Sequence, residues 1–270
     1  MREVIATPPP AAEMLEISGD DATTFLHAQL SSDVRVLEAG RWQWSAWLDA
    51  QGRVRVLLQL ARVDDTTYLA LLRGGAAADM AAALGRYVLR ARVVLRPRGA
   101  ILRAAAALPL HTCAGAAPGN PIAFGMGTHA WSIGAAVAAV AGDAGGTGGA
   151  DAAWRCEIDA GWPWLPDTAL DALMPPALGL EHLGAVSFDK GCYPGQEIAA
   201  RLHYRGGNKR HLVTLAGAAD RITTLLHTHP DALLALSAQQ SQDLHVLGVL
   251  NGNSAAVDAF APLIQSRHAG

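Results

Sequence analysis

Met14 to Ile17 forms a short apolar strand pattern, and Asp20 or Asp21 after it caps a helix running through Gln29 and Leu30. Trp42 to Leu48 and Val54 to Ala61 are apolar runs joined by the turn residues Asp49 to Gly52, which predicts a hairpin. Thr66 to Leu72 adds a strand. Gly74-Gly75 breaks the pattern ahead of an alanine-rich helix over about Ala76 to Leu89, and Arg92 to Leu95 is extended again. Strand, helix, three strands, helix, strand is the order of an α+β unit, with helices over one face of a largely antiparallel sheet. A second unit starts near Ile101. Its pattern is blurred by alanine, which favours helix intrinsically and says little about packing. Trp131 to Val140 reads as a strand, because Gly134 and the glycines after it would break a helix. Trp154 to Asp159 reads as a helix, and Trp162 to Pro166 as a turn-rich surface. From Leu212 onward the strand pattern is short and interrupted.

Composition narrows the class. The chain has 270 residues, 51% of them hydrophobic and 17% charged, against roughly 25% charged in an average soluble protein. That length supports one large or two to three small domains with real cores. The net charge is -3, and no basic run exceeds Asn208-Lys209-Arg210-His211, which excludes a dedicated nucleic-acid binder. Cys113, Cys156 and Cys192 form no close pair, so a disulfide framework is not expected, and neither a Cys-x-x-Cys zinc motif nor the Cys-rich spacing of a resident cluster is present. The first ten residues lack the apolar core of a signal peptide and the Arg and Ser content of a transit sequence. Apolar stretches such as Ile133 to Ala141 fall short of the roughly 18 residues that span a bilayer. A reducing cytoplasm is the expected location.

Chemistry concentrates in Lys190-Gly191-Cys192-Tyr193-Pro194-Gly195-Gln196-Glu197. Pro194 suits the first turn of a helix, and Gln196 to Leu202 has helical composition, so the helix is expected to begin near Pro194. Its positive end, with the Lys190 ammonium two residues from Cys192, would favour a thiolate. Glu197 and Arg201, at i,i+4, predict a surface ion pair worth about 0.3 kcal/mol. Gly191 and Gly195 allow close approach to the backbone. The residues alone leave two readings open: a reactive thiol, or a small buried hydrophobe in a well-capped turn. Gly142 to Gly149 lacks the Gly-Lys-Ser/Thr of a phosphate loop and reads as a flexible linker. His227 and His229 have metal-ligand spacing but lie beside Pro230 in the interrupted tail and read as a solvated loop, so no metal site is expected.

The octapeptide, followed by Ala200-Arg201 and by Arg205-Gly206-Gly207-Asn208-Lys209-Arg210, resembles the signature of the YgfZ family of folate-binding proteins. That family is related to the T-protein of the glycine cleavage system, an aminomethyltransferase. Ile17 to Val34, Leu48 to Arg53, Trp154 to Pro163 and Phe188-Asp189 are similar to other family segments, so the resemblance covers about residues 13 to 215. It implies duplicated α+β folate-binding units with mainly antiparallel sheets. The first would span 1–100 and the second, carrying the signature, 101–205. A short β-rich, barrel-like region at 206–270 would stand where the family has a longer barrel. The implied cofactor is tetrahydrofolate. The implied role is support of iron-sulfur cluster assembly or repair and, through cluster enzymes, of tRNA modification. Expected partners are folate and iron-sulfur proteins or the cluster-assembly machinery, without direct nucleic-acid or membrane contact.

A pterin is flat, aromatic and polar at its edge, so its pocket needs an aromatic wall and a carboxylate to accept its N–H groups. Trp154 stands where the resemblance puts a folate-contacting tryptophan. The second aromatic that the family can supply near the first strand is replaced by Ala12 to Met14. Among Asp33, Asp49, Glu157 and Asp159, Glu157 is the chosen carboxylate. The expected site therefore comprises Cys192 and Lys190 for chemistry and Trp154, Glu157, Gly195, Gln196, Glu197 and Arg201 for the cofactor, with His203 close enough to tune the thiol. No catalytic cycle is evident. A folate-dependent aminomethyltransferase and a non-catalytic binding scaffold are the alternatives to a folate-binding accessory protein.

Overall fold

The structure, a computed structural model, describes residues 11–115, 121–134, 147–240 and 243–268. Residues 1–10, the part of the strand expected over Trp131 to Val140 beyond Gly134, and most of the linker expected at Gly142 to Gly149 lie outside the described residues. The end of that linker is already helix, since α3 begins at Thr147.

Eight strands form one antiparallel sheet. β1 (Ala11–Ser18) leads into α1 (Ala22–Gln29), then come β2 (Arg41–Leu48), β3 (Val54–Arg62), β4 (Thr67–Leu72), α2 (Ala77–Gly85) and β5 (Val94–Ala105). The short strands β6 (Cys113–Ala114), β7 (Ile122–Gly125) and β8 (Ala130–Gly134) follow, and the spatial order is β2-β3-β4-β1-β5-β8-β7-β6. The free edges return toward each other: Trp42 N donates to His111 O at 2.9 Å and Cys113 N to Gly40 O at 2.8 Å. The sheet is thus a nearly closed barrel.

The predicted hairpin is present, and its period of two sorts the side chains. Trp42, Trp44, Ala46, Leu57, Leu69 and Leu71 face one buried cluster. Trp47, Val56, Leu58, Leu60, Tyr68 and Leu72 face another, under α1 and α2, with Phe25, Leu26, Met80 and Leu84. The α2 helix stops at Gly85, short of the expected Leu89, which leaves Tyr87 and Leu89 exposed. The boundary expected between residues 100 and 101 falls inside β5, which pairs with β1 through its first eight residues and with β8 from Ile101 on. The two α+β stretches therefore share one sheet, and they are not seen as two duplicated sheets. Among the described residues only β1 pairs with β5 at Pro97, opposite Leu15, the kind of edge position where a residue without an N–H is tolerated.

The tail is more regular than its sequence suggests. Helix α3 (Thr147–Asp159) and α4 (Gln196–Arg205) precede a second antiparallel sheet. It is built from β9 (Arg210–Ala218), β10 (Leu233–Gln240), β11 (Asp243–Asn251) and β12 (Ile264–Arg267) in the order β10-β11-β9-β12, with α5 (Ala219–Thr228) and the one-turn α6 (Val257–Phe260) beside it. Leu212, Leu236, Leu247 and Val249 join the first core, while Val213, Leu215, Val246, Ile222, Leu226 and Phe260 make a core of their own.

Trp162 to Pro166 also departs from expectation. Leu165 is buried, the two tryptophans are half-buried against the first core, and Leu165 N donates to Arg73 O at 2.6 Å. This crossing depends on Gly74, whose φ is +139° and where a Cβ would stand 2.4 Å from Leu165 O. Gly74→Ala is expected to destabilise the protein by about 2 kcal/mol or more, measured by urea unfolding, because backbone strain and a backbone clash are imposed together.

Candidate functional site

The end of β4 and the helix α3 bring opposite charges into the core. Arg73 and Glu157 have side chains 0% and 1% exposed and form an ion pair. Such a pair persists in a low dielectric only if its remaining donors and acceptors are matched, and here they are. Glu157 Oε1 accepts from Trp131 Nε1 at 2.5 Å and lies 3.4 Å from His129 Nε2, while Oε2 accepts from Arg73 and from Trp164 Nε1 at 3.2 Å. Those four partners match the four lone-pair sites of a carboxylate. Arg73 also donates to Gln59 Oε1 at 3.4 Å, Pro163 O at 3.3 Å and Trp162 O at 3.2 Å. Its guanidinium lies 4.1 Å from the Trp164 ring centroid and 5.2 Å from that of Trp44. Trp154 completes the wall, 4.7 Å from Trp131 and 5.4 Å from Trp164. Burial acts to push the Glu157 carboxyl up; the Arg73 charge and the hydrogen bonds from His129 and Trp131 outweigh it and hold the group below the usual carboxylate range.

The signature forms a loop between α1 and the β2–β3 turn. Lys190 is 6% exposed, and its ammonium donates to His27 O and Leu30 O, both at 2.5 Å, and to Ser32 O at 2.8 Å. These carbonyls surround the C-terminus of α1, where acceptors are left without helical partners and a cation complements the dipole. All three ammonium protons are thereby used. The face of Tyr193 lies 4.9 Å from the same nitrogen. Below it, Ser31 Oγ donates to Ala185 O at 2.6 Å, and Ser32 Oγ to Ser45 Oγ at 2.7 Å. Gly195, with φ +77°, presses on the hairpin turn: a Cβ there would stand 2.4 Å from Asp49 O and 2.8 Å from the Cα of Gly52.

The expected site residues thus divide into two groups. Trp154 and Glu157 belong to the buried tryptophan cluster. Lys190, Gly195 and Gln196 hold the signature loop in place, with Gln196 Nε2 donating to Lys190 O at 3.4 Å. Cys192 is exposed, which removes the reading of a buried hydrophobe. Lys190 does not spend its charge on that thiol, and α4 begins at Gln196, two residues after Pro194. Glu197 and Arg201 are exposed, and the ion pair expected between them is absent from the described structure, as a solvent-screened pair of long side chains permits. His203 pairs with Glu181 at 2.7 Å and stacks on Phe188. Asp33 accepts from Arg35, which holds its carboxyl near 2, Asp49 accepts from Arg53 N in the hairpin turn, and Asp159 pairs with Arg155. Among the described residues, no group of three His, Cys, Asp or Glu side chains forms a metal site, and no helix is long and apolar enough to cross a membrane. Sequence reasoning missed Arg73, Gln59, His129 and Trp131. Arg73 follows an apolar strand end, as a solvated strand terminus also does, so the sequence carried no distinctive signal for it.

The fold is that of an aminomethyltransferase. The chain aligns with the crystal structure of the glycine cleavage system aminomethyltransferase T from Bartonella henselae with a TM-score of 0.66 and 13% identity, covering 89% of this chain and 76% of that one. No family model matches. The tRNA-modifying protein YgfZ of Edwardsiella ictaluri is 31% identical over 232 residues, 77% of this chain and 70% of the relative. That of Cronobacter sakazakii is 30% identical over 228 residues, 76% and 69% respectively. The chain belongs to the YgfZ family.

Burial pulls the Lys190 ammonium down to about 8, against the opposing pull of Asp33. Between about pH 8 and the unfolded value of 10.5, the unfolded chain holds a proton that the folded chain has released. Stability from this group therefore rises with pH across that window, after its full cost below pH 8. The difference in unfolding free energy between wild type and Lys190→Met should increase from pH 8 to pH 10. A flat difference would mean that the ammonium is not buried in the carbonyl cup.

Proposed function

We propose that this protein binds tetrahydrofolate and acts as an accessory factor in iron-sulfur cluster assembly or repair, through which it supports tRNA modification. The observation that carries the reading is the tryptophan cluster around the Arg73–Glu157 pair. It offers aromatic faces for a planar heterocycle and a desolvated carboxylate for N–H donors, the two features that a pterin requires. The family relatives named as tRNA-modifying and the aminomethyltransferase fold support the same class.

The residues fit the cofactor in kind. The acceptor positions of Glu157 are at present filled by protein donors, which N–H groups of a ligand would replace. When bound, the folate supplies a carrier for one-carbon units. This chain's part is to stack, orient and dehydrate it. Cys192 stands apart, on a loop anchored beneath it by Lys190, and presents a thiol outward where a client protein can reach it.

Titrating tetrahydrofolate anaerobically, with tryptophan fluorescence and calorimetry as readouts, tests the proposal. Trp154→Ala should weaken binding by about tenfold or more, the effect of losing a buried aromatic contact. Cys192→Ala should bind as the wild type does but fail to restore cluster-enzyme activity in cells lacking the protein. Absence of saturable binding by the wild type would end the reading, and steady aminomethyl transfer would replace the accessory role with a catalytic one.

A further inference from the structure

Resting on the folate reading, we propose that Arg73 is an internal stand-in for the ligand, and that the slot it fills beside Trp164 is the recognition site for the guanidine edge of a 2-amino-4-oxopyrimidine ring. The argument is chemical likeness. A guanidinium is a flat group with N–H donors along its rim, and the edge of a pterin formed by N3–H and the 2-amino group carries the same atoms in the same plane. The surroundings of Arg73 read that pattern: Glu157 Oε2, Gln59 Oε1, Trp162 O and Pro163 O accept from its rim, while the Trp164 ring lies against it at 4.1 Å. A tryptophan face that stacks a guanidinium stacks a pteridine equally well. The ligand and Arg73 then compete for one carboxylate, so affinity is set by the release of the side chain as well as by the stacking and hydrogen bonds that the ligand makes. Guanine shares the edge; lumazine, with oxygen in place of the 2-amino group, does not.

The test compares pterin, guanosine and lumazine on wild type, Arg73→Ala and the double variant Arg73→Ala/Glu157→Gln by thermal shift and calorimetry. In Arg73→Ala, pterin should bind at least about tenfold tighter than to the wild type and restore melting temperature, with lumazine doing neither and the double variant losing the gain. Guanosine matching pterin would also support the slot and would widen its ligand to guanine bases. Equal effects of pterin and lumazine would overturn the proposal. If Arg73→Ala does not fold, the wild type is read by NMR. The Arg73 Nε–H signal should leave its buried position when pterin or tetrahydrofolate saturates the protein, and an unchanged signal at saturation would overturn the proposal while leaving the folate reading intact. A wild type that binds no folate, beside an Arg73→Ala variant that binds pterin, would uphold the slot and remove the folate reading. Binding by neither would remove both.

Discussion

The buried pair of Arg73 and Glu157 is the constraint around which the molecule is organised. Two charges without solvent would be costly alone, and cutting one partner out of such a pair typically costs about 3–5 kcal/mol. The fold meets that demand by bringing donors and acceptors from separated segments. Gln59 comes from β3, His129 and Trp131 from the β7–β8 hairpin, and Trp162, Pro163 and Trp164 from the chain after α3. Satisfying one ion pair therefore ties the barrel, α3 and the following segment into one core. The tail sheet joins through the same core, since Ser237 Oγ accepts from Trp164 N at 2.9 Å.

Lys190 plays the corresponding part at the signature loop. Its contacts are backbone carbonyls about 160 residues earlier in the chain, so it fastens the loop to α1 without depending on any particular side chain there. Gly195 fits against the hairpin turn on the other side. A thiol carried on a loop held at both ends has a fixed position but a free sulfur, which suits a group that acts on something outside the protein.

What could be read beforehand follows the range of the interactions. The hairpin, α1 and the start of α4 rest on local spacing and turn residues, so the sequence displays them. Closure of the barrel does not, because β2 meets the segment before β6 across about seventy residues with no periodic trace. The tail strands were obscured by Gly217, Gly248, Ala235 and Ala238, which weaken the alternating pattern, although in the fold Gly217, Gly248 and Ala238 lie opposite Leu244, Val213 and Val246, and Ala235 opposite Gly248. In the candidate site, Trp154, Glu157 and the signature were singled out from residue type and resemblance, and the structure buries the first two in one cluster. Arg73 was not, since a lone arginine after a strand looks like any solvated terminus until its partners are placed around it. The role of Lys190 was misread for the same reason: the nearest group in sequence, Cys192, is not the one that holds its charge.

The seam between β2 and β6 gives the barrel a hem. Where neighbouring staves are stitched by long ladders, this join has, among the described residues, Trp42 N to His111 O, Cys113 N to Gly40 O, the Trp42 indole to Gly125 O, the His111 ring to Trp42 O and Arg41 to the Thr112 hydroxyl. A join of so few stitches is the line along which a closed sheet parts first, at a fraction of the free energy of global unfolding. Behind it lies Trp42, in edge contact with Trp44, which in turn faces the Arg73 guanidinium. The interior is thus held shut along this line by single bonds and one indole rather than by a continuous ladder.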